Sequence, residues 1–200
     1  YDPEFDDDDA WRHCRQQAHA YLLDLSRRYP DVYPYYFVWN DFAVEDLAHR
    51  FAGIKWHHHA GEPPYRYADP ACTEMIDAIC DRRLPIVFEE TFERTRWFVQ
   101  QVAGRTAVII PHLGMLNGGF EQLMEQGIWD DDNVYADTAL AGRWEITAFL
   151  ERYGASRLIF GSDYPFGTPA TQLWMLQTLG LPEPDLAAVC GGNIAGLIGA

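Results

Sequence analysis

The stretch Arg157–Gly167, RLIFGSDYPFG, decides how this chain is read. Leu158–Phe160 is a short apolar run of the kind that forms a buried strand. Gly161 and Ser162 loosen the backbone behind it, and Pro165 and Gly167 break whatever follows. Asp163 stands where the strand ends. Packing gives little reason for an acid at the carboxyl end of a buried parallel strand, whereas chemistry in parallel α/β folds sits at that end. Taken alone, the pattern reads better as a turn cap, so the rest of the chain must decide.

Upstream the same pattern recurs. Val134–Ala136 ends at Asp137, Ala107–Ile110 at Pro111 and His112, and Leu84–Phe88 at Glu89 and Glu90. Gly53–Trp56 runs into His57, His58 and His59, and the aromatic-rich Val32–Trp39 ends at Asn40 and Asp41. Between these runs the spacing predicts helices over 71–82, 92–103, 119–125 and 145–153, with a shorter one over 44–51. A first helix over 10–28 is capped by Asp9 and carries Trp11, Cys14, Ala18, Leu22 and Leu25 on one face. Thr168–Pro169 starts another helix, and 186–198 closes the chain with one or two more. Trp97 and Trp174, at helical positions, read as core.

Strand and helix therefore alternate six times, which predicts one domain over 1–200 with a parallel sheet and helices outside. No GxGxxG or GxxxxGK[ST] follows any strand, so the marker of a nucleotide-binding sheet is missing. Ionisable residues at successive strand ends suit the α/β class in its (β/α)8 TIM-barrel form, whose site lies at the top. Alternation along the strand places Lys55 and His57 on one face of the sheet, with Trp56 and His58 on the other, and likewise separates Glu89 from Glu90.

Composition narrows the partners. Fifteen Lys and Arg against 30 Asp and Glu give a net charge of −15, which argues against nucleic acid. Asp6–Asp9 and Asp130–Asp132 read as solvated faces or helix starts, and residues 1–9 as an exposed loop. No apolar run reaches the ~20 residues of a membrane span, and Tyr1 opens no signal-peptide pattern. The four cysteines lack CxxC spacing and read as buried apolar residues of a reducing, cytoplasmic compartment. Lys55 is the only lysine in the chain.

The segments GIKWHHH, LPIVFEE, VIIPHLGMLNGG, NVYADTAL, RLIFGSDYPFG and GGNIAGLIG together resemble the amidohydrolase superfamily, in its amidohydrolase-related branch. The resemblance implies a barrel enzyme, a hydrolase or a related lyase or decarboxylase, acting on a small organic substrate. It implies a divalent metal at the top, usually Zn, with Mn or Fe as alternatives. Asp163 matches the eighth-strand acid, as ligand and proton acceptor. His112 matches the sixth-strand His beside the reacting group. Glu89 stands where the family has a fifth-strand His, which reads either as an exchanged ligand or as a site without metal. Lys55 and His57, toward the barrel centre, and Arg66, on the loop that also holds Tyr65 and Tyr67, are candidate substrate-binding residues. Asp137 reads as a loop cap. The metal set so implied is Glu89, His112 and Asp163.

The family's first-strand HxH pair has no counterpart here. The segments align from the family's third strand onward, which implies a chain lacking the first two barrel strands. Three functions follow: a metal-dependent hydrolase or lyase, a metal-independent lactonase-type hydrolase, or a degenerate barrel that binds a ligand or partner. A homodimer is the assembly expected of the branch.

Overall fold

The computed structural model describes residues 8–47, 50–58 and 62–200. Its strands are β1 (Tyr35–Phe37), β2 (Gly53–His57), β3 (Ile86–Glu89), β4 (Val108–Ile110), β5 (Val134–Asp137) and β6 (Leu158–Ile159). Its helices are α1 (Asp8–Arg28), α2 (Pro70–Asp81), α3 (Phe92–Val102), α4 (Phe120–Glu125), α5 (Arg143–Tyr153), α6 (Pro169–Gln177), α7 (Glu183–Ala187) and α8 (Asn193–Ile198). The six strands are all parallel and lie in the order of the chain, β1 to β6. Each connection thus steps one strand in the same direction, as in a (β/α) barrel. Among the described residues the sheet does not close: β1 and β6 are its two edges.

The two faces of the sheet differ. Tyr36, Ile54, Trp56, Ile86, Phe88, Val108, Ile110, Val134, Ala136 and Leu158 are all fully buried, on the face covered by helices. Trp56 is the centre of that layer, with ring contacts to Phe42, Tyr65, Phe88 and Phe98 and a stacked contact to Tyr67. Of the alternate residues, Phe37, Lys55, His57, Val87, Tyr135 and Asp137 are only half-buried, while Glu89, Ile109 and Ile159 are buried. They line the concave side, where the polar strand ends converge.

Both edges carry caps from helical segments. Val38 donates its N–H to the Lys55 carbonyl across the β1–β2 pair, so the Phe37 N–H points to the free side, where His19 Nε2 of α1 accepts it at 2.9 Å. Arg15, on the same helix, binds both oxygens of Asp41 at 2.7 and 2.6 Å. At the other edge Phe160 donates its N–H to the Val189 carbonyl at 2.8 Å, and the Asn193 side chain donates to the Leu158 carbonyl at 2.7 Å. Edge groups that would otherwise template strand pairing are thus satisfied within the chain.

Several expectations are corrected. The strand expected over 32–39 shortens to three residues, since only β2 supports it on one side. The helix expected over 44–51 is one 3-10 turn, Val44–Asp46, and Ala48 and His49 lie outside the described residues. Helix α1 already begins at Asp8, within the expected loop, whose residues 1–7 also lie outside the described ones. Trp174 is exposed rather than core, because α6 buries Gln172 and Leu176 and Trp174 lies on the opposite side of the helix. Cys14 is exposed rather than buried; Cys72 and Cys80 are buried, and all four thiols are free. No helix among the described residues is long and apolar enough to cross a membrane.

His19 gives a test of the edge cap. Because Nε2 accepts a hydrogen bond, the ring is neutral, and burial, aided by the Arg15 charge, lowers its pKa from 6.5 to about 4. The folded pKa lies below the unfolded one, so this stabilisation is complete above pH 6.5 and is lost as the pH falls toward 4. The full effect is about 3 kcal/mol. Urea unfolding between pH 7 and pH 4 should show His19→Gln with a shallower loss of stability than the native chain, by the uptake of about one proton.

Candidate active site

Lys55 and His57 reach the concave face because their neighbours Ile54 and Trp56 are committed to the buried one. Strand register then fixes the next contact, since His57 pairs with Glu89 and Lys55 with Val87. Lys55 Nζ donates to Glu89 Oε2 at 2.9 Å. His57 Nε2 lies 3.1 Å from Oε1, and His112 Nε2 lies 3.4 Å from Oε2. The carboxylate is 1% exposed. Burial raises its pKa, but hydrogen bonds from His112 and His57 and the Lys55 charge outweigh burial and hold it well below the carboxylate range. Glu89 is therefore a buried anion with three partners.

His112 reaches Glu89 through an unusual backbone. It follows β4 with φ 56° and ψ 30°, and Leu113 follows with φ 47°, both left-handed and both costly for residues with a Cβ. The turn is held from two sides. Asp137 Oδ1 accepts the N–H groups of His112 and Ala139, each at 2.9 Å. Asn117 donates to the Phe88 carbonyl at 3.0 Å and to Thr95 Oγ1 at 2.9 Å, which ties the loop to β3 and α3. Gly114, at φ 82°, leaves room for Leu123, whose Cδ1 would lie 1.9 Å from an added Cβ.

The His112 ring has a defined tautomer. Its Nδ1 lies 3.1 Å from the Ala139 carbonyl, which can only accept, so Nδ1 bears a proton. Nε2 is then the atom that exchanges a proton at the Glu89 side. Burial lowers the pKa of the ring, and the Glu89 hydrogen bond and the Asp137 charge overcome that and raise it. Burial likewise raises the pKa of Asp137, against the N–H groups and the His112 charge that favour its anion.

The remaining expected residues fall elsewhere. Glu90 points to the helix side, where Tyr67 donates to Oε1 at 2.8 Å and His58 Nδ1 lies 3.5 Å from Oε2. Tyr65 donates to the Val38 carbonyl at 2.6 Å. Arg66 donates its backbone N–H and its Nη2 to Asn40, both at 2.8 Å, so it fastens the loop after β2 to the end of β1. His59 lies outside the described residues. Asp163 follows β6 in a left-handed conformation, φ 52°, and its carboxylate makes no hydrogen bond or ion pair among the described residues. The structure thus joins Lys55, His57, Glu89 and His112 by direct contacts, and Asp163 makes none with them among the described residues.

Among the described residues no group of three or more His, Cys, Asp or Glu side chains is arranged to hold a metal ion. Both Glu89 oxygens already face cationic or N–H donors, and the Lys55 ammonium stands at 2.9 Å, where a cation would bind. An ion at Glu89 would have to displace that ammonium. This donor set, as arranged, does not fit a divalent metal.

The Amidohydrolase family model matches residues 3–199. This chain belongs to the amidohydrolase family. It is an enzyme of the amidohydrolase type, and its six strands are part of the TIM-barrel fold that its structural neighbours share. A 2,6-dihydroxybenzoate decarboxylase from Rhizobium matches with a TM-score of 0.72 at 14% identity, over 92% of this chain and 76% of that one. A putative 2-pyrone-4,6-dicarboxylic acid hydrolase from Pseudomonas putida matches with 0.65 at 17%, over 90% and 77%. A dihydroxybenzoic acid decarboxylase from Polaromonas sp. JS666, with bound manganese and the inhibitor 2-nitroresorcinol, matches with 0.68 at 14%, over 92% and 74%. At such identities the likeness carries the fold. No curated protein matches the chain by sequence.

The cluster predicts its own titration. In Glu89→Gln the hydrogen bond and charge that most raise the His112 pKa are gone while burial remains, so the His112 pKa should drop below that of the native chain. Histidine ring NMR across pH 4–9 measures this. An unchanged His112 pKa would break the link between Glu89 and His112.

Proposed function

We propose that this chain acts on a small carboxylated ring compound, as a hydrolase or a decarboxylating lyase, by proton transfer at His112. The observation that carries the reading is the Lys55–Glu89–His112 contact, in which one buried carboxylate meets an ammonium at 2.9 Å and a proton-bearing imidazole at 3.4 Å. Lys55 and a protonated His112 offset the Glu89 and Asp137 carboxylates, and the half-buried Lys55 ammonium is the cation nearest to solvent. Such a site favours an anionic substrate group.

Lys55 holds the substrate carboxylate, and His57, half-buried on the same strand, lines that end. Glu89 keeps Lys55 oriented and His112 charged. His112 Nε2 is the proton donor, while its Nδ1–H stays on the Ala139 carbonyl and fixes the ring. In a decarboxylation the C–C bond breaks, its electron pair remains on the ring carbon, and the Nε2 proton goes to that carbon. In a ring-opening hydrolysis water adds to the carbonyl, the ring C–O bond breaks, the Nε2 proton goes to the leaving oxygen, and a proton of the added water restores Nε2. Fold neighbours include enzymes named for both reaction types, on dihydroxybenzoate and on a pyrone dicarboxylic acid.

Metal dependence is the other reading of this family, and the manganese-bound neighbour favours it. Here the ammonium of Lys55 takes the cationic role instead, and no step is assigned to a metal. Assays of carbon dioxide release and of ring opening, on benzoates and pyrone or lactone carboxylates, test the proposal. Activity should survive exhaustive chelation. His112→Gln should lose about 10²–10⁴-fold in kcat. Lys55→Met should raise KM by about tenfold or more, as expected for losing a charge-assisted contact. Loss of activity on chelation, restored by a divalent ion, would overturn the metal-free assignment.

A further inference from the structure

His112 belongs both to the Glu89 cluster and to the lining of a neighbouring cleft. The cleft has a volume of about 170 Å³ and lies between the loop after β4 and the loop after β5. Met115, Phe120 and Leu140 make it mainly apolar, and Glu145 supplies a carboxylate. Three more open hollows, of 390–600 Å³, are lined by residues such as Arg83, Pro85 and Arg105 at the amino-terminal side of the strands, away from this chemistry.

We propose that this cleft is a specificity pocket, which takes the ring of the substrate and reads a hydroxyl or amino hydrogen on it through the Glu145 carboxylate. The inference rests on the reading above for the carboxylate end of the substrate. Size is the first argument, since a cavity of about 150 Å³ is enough for benzene. Position is the second, because the cleft shares His112 with the Lys55–Glu89 cluster.

Glu145 itself is the third argument. It lies three residues beyond Gly142, the N-cap of α5, a spacing that suits a capping box. A capping box needs the Glu to accept the N-cap N–H, and among the described residues Glu145 makes no hydrogen bond or ion pair. Its Oε2 instead lies across Gly142, 2.6 Å from where a Cβ would be. Gly142 has φ −81°, which any residue adopts, so what it provides is space for that carboxylate. The lip of the cleft is fixed as well. Leu140 sits at φ 55°, and Gly167 lets the loop after β6 close onto it, with Leu140 Cδ2 2.9 Å from the site of a Cβ.

The test measures binding of benzoate and its three monohydroxy isomers to the whole chain, by calorimetry and by the NMR shift of the Met115 methyl group. At least one hydroxy isomer should bind about fivefold tighter than benzoate, the size of one hydrogen bond to a partly exposed charge. It should also move the Met115 signal. Glu145→Ala should erase the difference between that isomer and benzoate. Gly142→Ala, compatible with its backbone, should displace the carboxylate and do the same. A preference that survives Glu145→Ala, or isomers equal to benzoate within twofold, would overturn the pocket. Lys55→Met separates the two readings, since it should weaken all four ligands alike. If it leaves all four unchanged while Glu145→Ala still erases the preference, the carboxylate assignment fails and the pocket stands. Absence of binding by all four overturns both.

Discussion

Glu89 is a carboxylate almost wholly removed from water, and it is tolerable there only because three donors converge on it. Lys55 and His57 come from one neighbouring strand and His112 from beyond the other. Each must be delivered to within about a hydrogen-bond length, and each imposes a condition on the fold. The β2–β3 register must set His57 opposite Glu89. The chain after β4 must turn back sharply enough to bring His112 over the end of β3. Removing one donor leaves a buried anion less well compensated, which costs more than the missing contact itself.

That arrangement depends on the inequality of the two sheet faces. The helix-side face is packed with fully buried apolar residues and defines which side chains have no choice. Strand alternation then sends the others to the concave face, where the half-buried Lys55 and His57 meet the buried Glu89. Trp56 and Lys55 are consecutive and meet opposite fates for this reason. The ionic cluster is a consequence of packing on the other side of the same strands.

Left-handed residues gather at the strand ends of the site: His112, Leu113, Leu140 and Asp163 all have positive φ. Asp137 offsets part of that strain by accepting two backbone N–H groups from different loops. Expected as a loop cap, it caps the turn that carries His112. Conformations of this kind persist where surrounding structure over-determines them, and they recur at ligand sites. Here they shape the cleft beside His112 and bring the closing stretch Ser162–Gly167 onto its rim.

The sequence by itself determined the class of the fold, its six strands and the end of the sheet where chemistry would sit. Those follow from apolar runs of strand length, from helical spacing between them and from the ionisable residue after each run, all local signals. It also separated Glu89 from Glu90 and Lys55 from Trp56, because alternation is geometry. Only the tertiary structure decided which polar ends meet. Glu89 and His112 approach each other, and Asp163, whose motif stands out most in the sequence, makes no hydrogen bond or ion pair to them among the described residues. Arg66 and Tyr65 likewise serve the loops. The exposure of Trp174 and the brevity of β1 were also tertiary matters, since neighbours decide which face a helix buries and how far an edge strand pairs. The physical reason is common to all of these. A residue's periodicity is written in its neighbours along the chain, but its partner is set by the turn angle of loops and the register of strands distant in sequence.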